Sequence, residues 1–197
     1  MTGRSGGLTA PRMIGQQKNL ERLHDGCQRC AAAALSAQSS FVREKDDTAC
    51  SRTVVNVMAL CICTQEAVKL MQEKNINDGQ IIHISSMGGH RLPANMPGAN
   101  FYCGTKFMVK ALTEGLRREL KALKSHIRIG SISPGMVETE FFDHFLKNDP
   151  TRKASDLFSS MKALQSDDIA ESVLYILRAP PHVEVHDILV RPYDQAL

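Results

Sequence analysis

The spacing of hydrophobic residues divides the sequence near residue 53. Beyond that point, two long stretches repeat their apolar side chains at steps of three, four and seven residues, the period of a helix: 54–74 and 101–124. Three shorter stretches are apolar runs rich in β-branched residues, as buried strands are: 81–85, 127–133 and 183–190. Helices and strands therefore alternate over this part of the chain.

The connecting segments agree with this alternation. Residues 77–79 form a turn, and the stretch 139–164 predicts short amphipathic helices. Ser166 is expected to cap a helix over 167–178, which Pro180 stops. Strands that are separated by helices pair in parallel, so the pattern predicts an α/β fold in which helices flank a parallel sheet as a three-layer sandwich.

The first 53 residues differ in composition from the rest of the chain. Val and Ile are nearly absent there, and the only apolar run is the Ala-rich CAAAAL at 30–35, which favours helix but is too short to be stable alone. We therefore divide the chain into an atypical, poorly ordered segment at 1–53 and an ordered part at 54–197.

Composition and charge exclude several classes of protein. Of the 197 residues, 43% are hydrophobic and 23% are charged, which is ordinary for a soluble globular protein. The net charge of +3 is small and the basic residues are scattered, so no nucleic-acid partner is expected. No apolar run approaches the roughly 20 residues needed to span a bilayer. The N-terminus has no secretory signal, so we expect a cytoplasmic protein without a membrane span.

The six cysteines do not predict a metal site. Cys27 and Cys30 form a CxxC pair, but no second pair of Cys or His follows to complete a tetrahedral zinc site. Without a secretion signal, disulfides are not expected. Cys61 and Cys63 lie in an apolar stretch and are predicted to be small core residues.

The strongest sign of chemistry is Tyr102 followed by Lys106 on a predicted helix. Residues four apart share a helix face, and a lysine ammonium beside a phenol favours the phenolate, lowering the tyrosine pKa from its usual value of about 10. Tyr102 could then act as an acid and base. A serine of the Ser85–Ser86 pair, at the end of the preceding strand, could hold a substrate oxygen against the phenol, since ligands bind at the carboxyl ends of parallel strands.

Several motifs, in this order, carry a resemblance to a known family. They are VNVMALCICTQEA at 55–67, ISSMGG at 84–89, FYCGTK at 101–106, ALTEGLRREL at 111–120 and ISPGMVET at 132–139. Over 54–197 the chain resembles the short-chain dehydrogenases/reductases. The resemblance implies a Rossmann-like fold. It also implies an oxidoreductase that moves a hydride between NAD(P)(H) and the hydroxyl or ketone of a lipophilic, steroid- or isoprenoid-like substrate.

The resemblance also implies roles for single residues. Tyr102 matches the catalytic acid and base. Lys106 matches the lysine that lowers the tyrosine pKa and binds the nicotinamide ribose, and Ser86 matches the serine that orients the substrate. Asn56 matches the asparagine that holds a water in the proton relay, although a helix-interior amide with no task is the alternative. The family's loop around the nicotinamide and phosphates is matched by Pro134, Gly135, Val137 and Thr139.

The dinucleotide-binding half of the family's pattern is not evident. Residues 2–7 superficially resemble its glycine turn, but no strand precedes them and Pro11 follows. The NNAG turn and the residue that separates NAD from NADP are also absent from the pattern. We therefore expect a truncated Rossmann-like fold that binds NADP, or alternatively NAD, only weakly.

Three interpretations remain open at this point. The chain is an active NAD(P)-dependent oxidoreductase, a truncated and catalytically silent relative, or a non-enzymatic interaction module. The third follows because the helices at 54–74 and 101–124 match the face through which the family usually dimerises.

Five further side chains are assigned to structure or solvent. His83 is expected to be a satisfied core histidine, and Met87 and Met136 to form apolar wall. His90 and Arg91 could line the substrate mouth, but surface solvation is the favoured interpretation.

Overall fold

The computed structural model describes residues 52–93, 99–146, 153–159 and 161–195. The predictions for residues 1–51, including the CxxC pair and the superficial glycine turn, lie outside the described residues. A π-helical turn, Val54–Met58, leads into α1, Ala59–Glu73. The elements that follow are β1 Gln80–Ile84, a 3₁₀ turn Met87–Gly89, α2 Asn100–Ala122, β2 Arg128–Pro134, α3 Phe141–Leu146, α4 Ala154–Ser159, α5 Ser166–Arg178 and β3 Asp187–Val190.

The three described strands form one parallel sheet in the order β1-β2-β3, as the alternation of helices and strands predicted. β2 lies in the centre, where Ile129 pairs with Ile81 of β1 and Ile132 pairs with Ile188 of β3. The side chains of Ile129 and Ile132 are fully buried. A strand buried on both faces is expected to be apolar throughout, which explains the continuous run in the sequence.

Helices cover both faces of the central strand. Ile129 packs in a core cluster with Leu120 of α2, whereas a side chain at the next position, Gly130, would point at Ile176 of α5. Successive residues of a strand face opposite sides of the sheet, so α2 and α5 lie on opposite faces. The α/β sandwich is thereby confirmed.

The last strand is shorter than the predicted run of 183–190. Two side chains occupy the positions where backbone pairing would begin: Arg128 donates to the Val183 carbonyl at 3.1 Å, and the Glu184 carboxylate accepts from the Ile129 amide at 3.0 Å. Gly130 is needed beside this segment, because a Cβ there would lie 2.7 Å from the Val185 carbonyl oxygen. Regular pairing therefore starts only at Asp187.

Two helix predictions need correction. The predicted helix at 54–74 begins with a π-helical turn, which its apolar period does not reveal. The predicted cap Ser166 is instead the first residue of α5, and Gln165 precedes the helix. Asp168 accepts a hydrogen bond from the Gln165 amide at 2.8 Å, so the first-turn carboxylate holds the helix start.

The helical run Val54–Glu73 contradicts the expectation that no apolar stretch approaches bilayer length. It has 20 residues, and an 18-residue window of it has a mean hydropathy of 1.5 with only 6% of that window buried, so it is long and apolar enough to cross a membrane by length and composition. Val68 and Met71 nevertheless pack against the core cluster below α2. Cys63 was also predicted to be a core residue, but it is exposed on this helix.

Candidate functional site

A cavity of about 240 Å³ lies at the carboxyl ends of β1 and β2. It lies where parallel sheets usually bind ligands, because the loops after neighbouring strands meet there. The predicted site residues that line it are Ser86, Tyr102, Lys106, Pro134, Gly135, Val137 and Thr139. Asn56 is the one predicted site residue that does not.

Ser86 lies in extended backbone between β1 and the 3₁₀ turn, and its hydroxyl caps that turn. Its Oγ accepts a hydrogen bond from the Gly88 amide at 3.0 Å, and the Ser86 side chain lies close enough to the Tyr102 phenol to lower its pKa in part. Gly88 lies beside both groups: a Cβ there would make ordinary contacts of 3.4 Å with Ser86 Oγ and the Tyr102 ring and a tight contact of 3.1 Å with Cys103 Sγ. The structure thus brings the serine and the tyrosine together across the strand end.

Tyr102 lies in the first turn of α2, against aromatic rings of α3. Its ring centroid is 5.7 Å from those of Phe141 and Phe145. Burial raises the pKa of Tyr102 above its ordinary value of 10.0, while the hydrogen bond from Ser86 and the charge of Arg52 act in the opposite direction. The phenol is therefore a proton donor at neutral pH in this structure.

Lys106 follows Tyr102 by one helix turn, and its ammonium lies 5.7 Å from the centroid of the Tyr102 ring. Nζ donates to the Ile84 carbonyl oxygen at 3.3 Å, and burial lowers the pKa of Lys106. The expected lowering of the tyrosine pKa by this lysine does not dominate here. Burial of the phenol has the larger effect, and it acts upward.

Asn56 contacts α2 directly and does not line the cavity. Its Nδ2 donates to Thr105 Oγ1 at 3.0 Å, and Thr105 in turn donates to the Tyr102 carbonyl at 2.7 Å. The π-helical turn places this amide beside the first turn of α2. In this structure Asn56 supports the backbone that carries Tyr102 and Lys106.

The loop after β2 forms the opposite wall of the cavity. The Met136 amide donates to Gln195 Oε1 at 2.9 Å, and Gly135 leaves room for this tail, because a Cβ there would lie 2.7 Å from Arg191 Cβ. Val137 pairs with Leu164 in a parallel bridge that fixes the loop from its other side. The nicotinamide loop of the family pattern is therefore held by two separate segments.

The secondary assignments have mixed outcomes. His83 is confirmed as a satisfied core histidine, since its side chain is bonded to Thr64 at 2.9 Å and to Thr113 at 2.8 Å. Arg91 lines the cavity, which supports its predicted alternative position at the substrate mouth and not the favoured assignment to the solvated surface. His90 neither lines the cavity nor lies on the solvated surface. It is half-buried in a polar cluster with Asp187.

Two parts of the wall were missed by sequence reasoning. Phe141, Phe142 and Phe145 line the cavity, as does Gln195. The dense phenylalanines directly after Thr139 were a usable signal, because an apolar cluster next to a predicted loop at a strand end is a candidate pocket wall. The contact of Gln195 is long-range and left no local pattern.

Comparisons with known proteins agree with this geometry. The profile of the family described as short chain dehydrogenase matches residues 28–150, so the match begins ahead of the boundary expected at residue 54. The chain is 44% identical over 178 residues to dehydrogenase/reductase SDR family member 11 of Gallus gallus, covering 89% of this chain and 69% of that protein. It is 39% identical to the farnesol dehydrogenase of Aedes aegypti, covering 71% of this chain and 52% of that enzyme.

A solved structure shows the same fold. The closed form of serine dehydrogenase complexed with NADP+ superimposes with a TM-score of 0.70 at 23% identity, covering 92% of this chain and 84% of that one. The order of the strands, the cavity at their carboxyl ends and the profile match all agree with one family. This chain belongs to the short-chain dehydrogenase family.

Proposed function

We propose that the chain is an oxidoreductase that transfers a hydride between NAD(P)(H) and the hydroxyl or ketone of a lipophilic molecule. The observation that carries the proposal is the placement of Ser86 beside Tyr102 and Lys106 in the wall of an apolar cavity. The chain spans between about half and two thirds of the two relatives compared above. The activity is therefore inferred from the residues of the site.

Ser86 and Tyr102 suit the proton-transfer step of a carbonyl reduction. Ser86 and Tyr102 present two hydroxyl groups to one point, where a carbonyl oxygen would accept hydrogen bonds from both. Because the pKa of Tyr102 is raised, the phenol holds its proton at neutral pH and can donate it to that oxygen. The nicotinamide supplies the hydride to the carbonyl carbon when it is bound. In the reverse direction, the phenolate would accept the proton of an alcohol.

The described residues fit the nicotinamide end of the cofactor. Ser85 is one of the residues that line the cavity, and its buried hydroxyl has no hydrogen-bond partner among the described residues. Lys106 and the loop Pro134–Thr139 would hold the nicotinamide ribose and carboxamide. Within the described ranges, no glycine turn is available for the pyrophosphate.

We expect NADP(H) to bind weakly for this reason. Each missing charge-assisted phosphate hydrogen bond costs about 1.5–3 kcal/mol. A few of them weaken binding by several powers of ten, since about 1.4 kcal/mol corresponds to a factor of ten. A calorimetric titration with NADPH and, separately, NADH at low salt tests this. A dissociation constant in the millimolar range is expected, whereas tight binding would show that residues 1–51 provide the phosphate site.

The cavity favours a compact lipophilic substrate. Its wall is dominated by apolar side chains, with the three phenylalanines packed around Tyr102. The volume of about 240 Å³ lies just below the range of about 300–1,000 Å³ typical of small-molecule pockets. A relative named for farnesol supports an isoprenoid-like alcohol or aldehyde. Turnover with NADPH should be compared between such a carbonyl compound and a charged one of similar size.

A second function is favoured by exposed apolar side chains on the two helical stretches that were predicted to dimerise: Val55 and Leu70 on Val54–Glu73, and Met108 and Leu112 on α2. These side chains are between 36% and 65% exposed. We propose that a second copy of the chain covers them, so that the protein acts as a dimerisation module whether or not it turns over substrate.

Light scattering on purified chain tests this proposal. The Met108→Glu, Leu112→Glu double variant should be monomeric where the wild type is dimeric. Leu177→Glu, at a similarly exposed leucine of α5, is the matched control and should remain dimeric. A wild-type chain that is monomeric at micromolar concentration would rule the dimer out.

A further inference from the structure

His90 joins three elements that carry the candidate site. Its Nε2 lies 2.8 Å from Asp187 Oδ2 on β3 and 3.1 Å from Ser133 Oγ on β2. Its Nδ1 lies 3.0 Å from Lys110 Nζ on α2. We call these four residues the His90 junction. The side chains of His90 and Asp187 are only 19% and 22% exposed, so water competes little for these bonds.

The hydrogen positions follow from the partners. An ammonium can only donate, so Lys110 donates to Nδ1 of His90 and the imidazole proton is on Nε2. That N–H donates to the Asp187 carboxylate, whose other oxygen accepts from Ser133 at 2.9 Å and from Ser131 at 2.8 Å. A neutral imidazole thus bridges a positive and a negative side chain, and its ring is held at both nitrogens.

The His90 junction lies directly behind both walls of the cavity. The His90 amide donates to the Met87 carbonyl at 2.9 Å, which ties the ring to the 3₁₀ turn that Ser86 caps. Ser133 immediately precedes Pro134, the first residue of the opposite wall. Bonds from one imidazole therefore fix the distance between the serine turn and the loop after β2.

We propose that His90 is a positioning residue, which holds the Ser86 turn against β2 and β3 so that the Ser86 hydroxyl stays directed at Tyr102. The proposal rests on the proposed oxidoreductase function for its effect on turnover. Its structural half, the anchoring of the turn, can be measured whether or not the chain is active. His90 does not line the cavity, so its replacement changes no group that would touch substrate or cofactor.

Two replacements of His90 separate positioning from simple loss of a side chain. His90→Leu keeps a similar volume but removes both ring nitrogens. His90→Gln keeps an amide N–H that can donate to Asp187. His182→Leu, at an exposed histidine far from the cavity, is the matched control for the chemical change.

Turnover is the first measurement. His90→Leu should lower kcat by about 10- to 100-fold, since small misplacements of catalytic groups have effects of this size. KM should change much less, because the cavity wall itself is intact. His90→Gln should restore most of the loss, and His182→Leu should match the wild type. Equal kcat for His90→Leu and an active wild type would overturn the role in turnover.

Hydrogen exchange at the amides of Gly89, His90 and Arg91 is the second measurement. These amides donate within the turn, and their exchange should become faster in His90→Leu but not in His90→Gln. Unchanged exchange in His90→Leu would overturn the proposal even if activity fell. An inactive wild-type chain would count against the oxidoreductase function alone, and the exchange data would still decide whether His90 anchors the turn.

Discussion

Polar and charged side chains have many partners at one end of the parallel sheet and few at the other. At the amino end, near the start of β2, Arg128 donates to the backbone carbonyls of Ala179, Pro180 and Val183 at 3.0–3.3 Å. Arg117 pairs there with Glu114 and Glu184. At the carboxyl end, Lys106 has one carbonyl partner at 3.3 Å, and the buried Ser85 hydroxyl has none among the described residues.

The difference separates side chains that hold the fold from side chains that are available to a ligand. The charged residues lining the cavity are Arg91 and Lys106, and no carboxylate of the described residues joins them. Burying charged groups without counter-ions is unfavourable, so a cavity lined by two cations and no described carboxylate is expected to bind something polar. At the amino end the guanidinium groups face carboxylates and carbonyls, and Arg117 Nε, which has no hydrogen bond among the described residues, lies 3.6 Å from the Glu184 carboxylate. Variants at the two ends should therefore have opposite effects on activity and stability.

The largest effect is expected for Tyr102→Phe at the carboxyl end. Losing the phenol hydroxyl beside Ser86 should lower turnover by about 10²–10⁴-fold, the usual contribution of general acid catalysis. The thermal midpoint should hardly change, because no apolar volume is removed. Tyr175→Phe, at a tyrosine that is 66% exposed, is the matched control. Full activity in Tyr102→Phe would refute the acid and base assignment.

Arg128→Met should show the reverse pattern at the amino end. Replacing the guanidinium removes its hydrogen bonds to three backbone carbonyls, of which the Pro180 carbonyl still accepts from the Val183 amide, so the free energy of unfolding should fall by about 1.5–3 kcal/mol. Cofactor binding should be unchanged, since Arg128 is remote from the cavity. Urea denaturation measures the loss, with the exposed Arg178→Met as control. A stability equal to that of the control would show that these bonds contribute nothing.

Lys106→Met should stabilise the fold while it impairs function. Burial lowers the pKa of Lys106, which means that the folded state disfavours its charge. An apolar side chain of similar length should therefore raise the free energy of unfolding by about 1 kcal/mol. Turnover and NADPH affinity should both fall. Lys121→Met, at an exposed lysine of the same helix, should alter neither quantity; a destabilised Lys106→Met variant would contradict this view of the cavity.

The smallest effect is a dependence of stability on alkaline pH. Folding raises the pKa of Tyr102, so the folded state holds this proton more tightly than the unfolded chain does. The stabilisation is fully present below the unfolded pKa of about 10 and is lost as the pH rises through the folded pKa. Urea midpoints compared between wild type and Tyr102→Phe above about pH 9 measure it. Parallel curves would show that the phenol is not buried enough to matter.

The sequence was sufficient for what depends on local order. The strand that ends in Ser85 and Ser86, and the helix that carries Tyr102 and Lys106, follow from period and spacing, so their meeting at one sheet edge could be predicted. The geometry that depends on side chains distant in the sequence could not be predicted. Glu184 replaces a strand bond at Ile129 through its carboxylate, and no periodicity encodes that contact.

His90 illustrates the same limit at the site. Its partners on α2, β2 and β3 lie between 20 and 97 residues away along the chain, so in the sequence it resembles any polar loop residue. Cys63 shows the opposite error. It lies in an apolar stretch and has a small, core-compatible side chain, but the helix that carries it is mostly uncovered. Apolar sequence indicates a preference for burial, and the surrounding elements decide whether burial occurs.

The contact between Gln195 and Met136 has a practical consequence. Gln195 forms part of the cavity wall, so Gln195→Ala would leave the Met136 amide without this acceptor and widen the mouth. A ligand that fills the cavity would cover this contact, and its binding could be followed as slower hydrogen exchange at the Met136 amide.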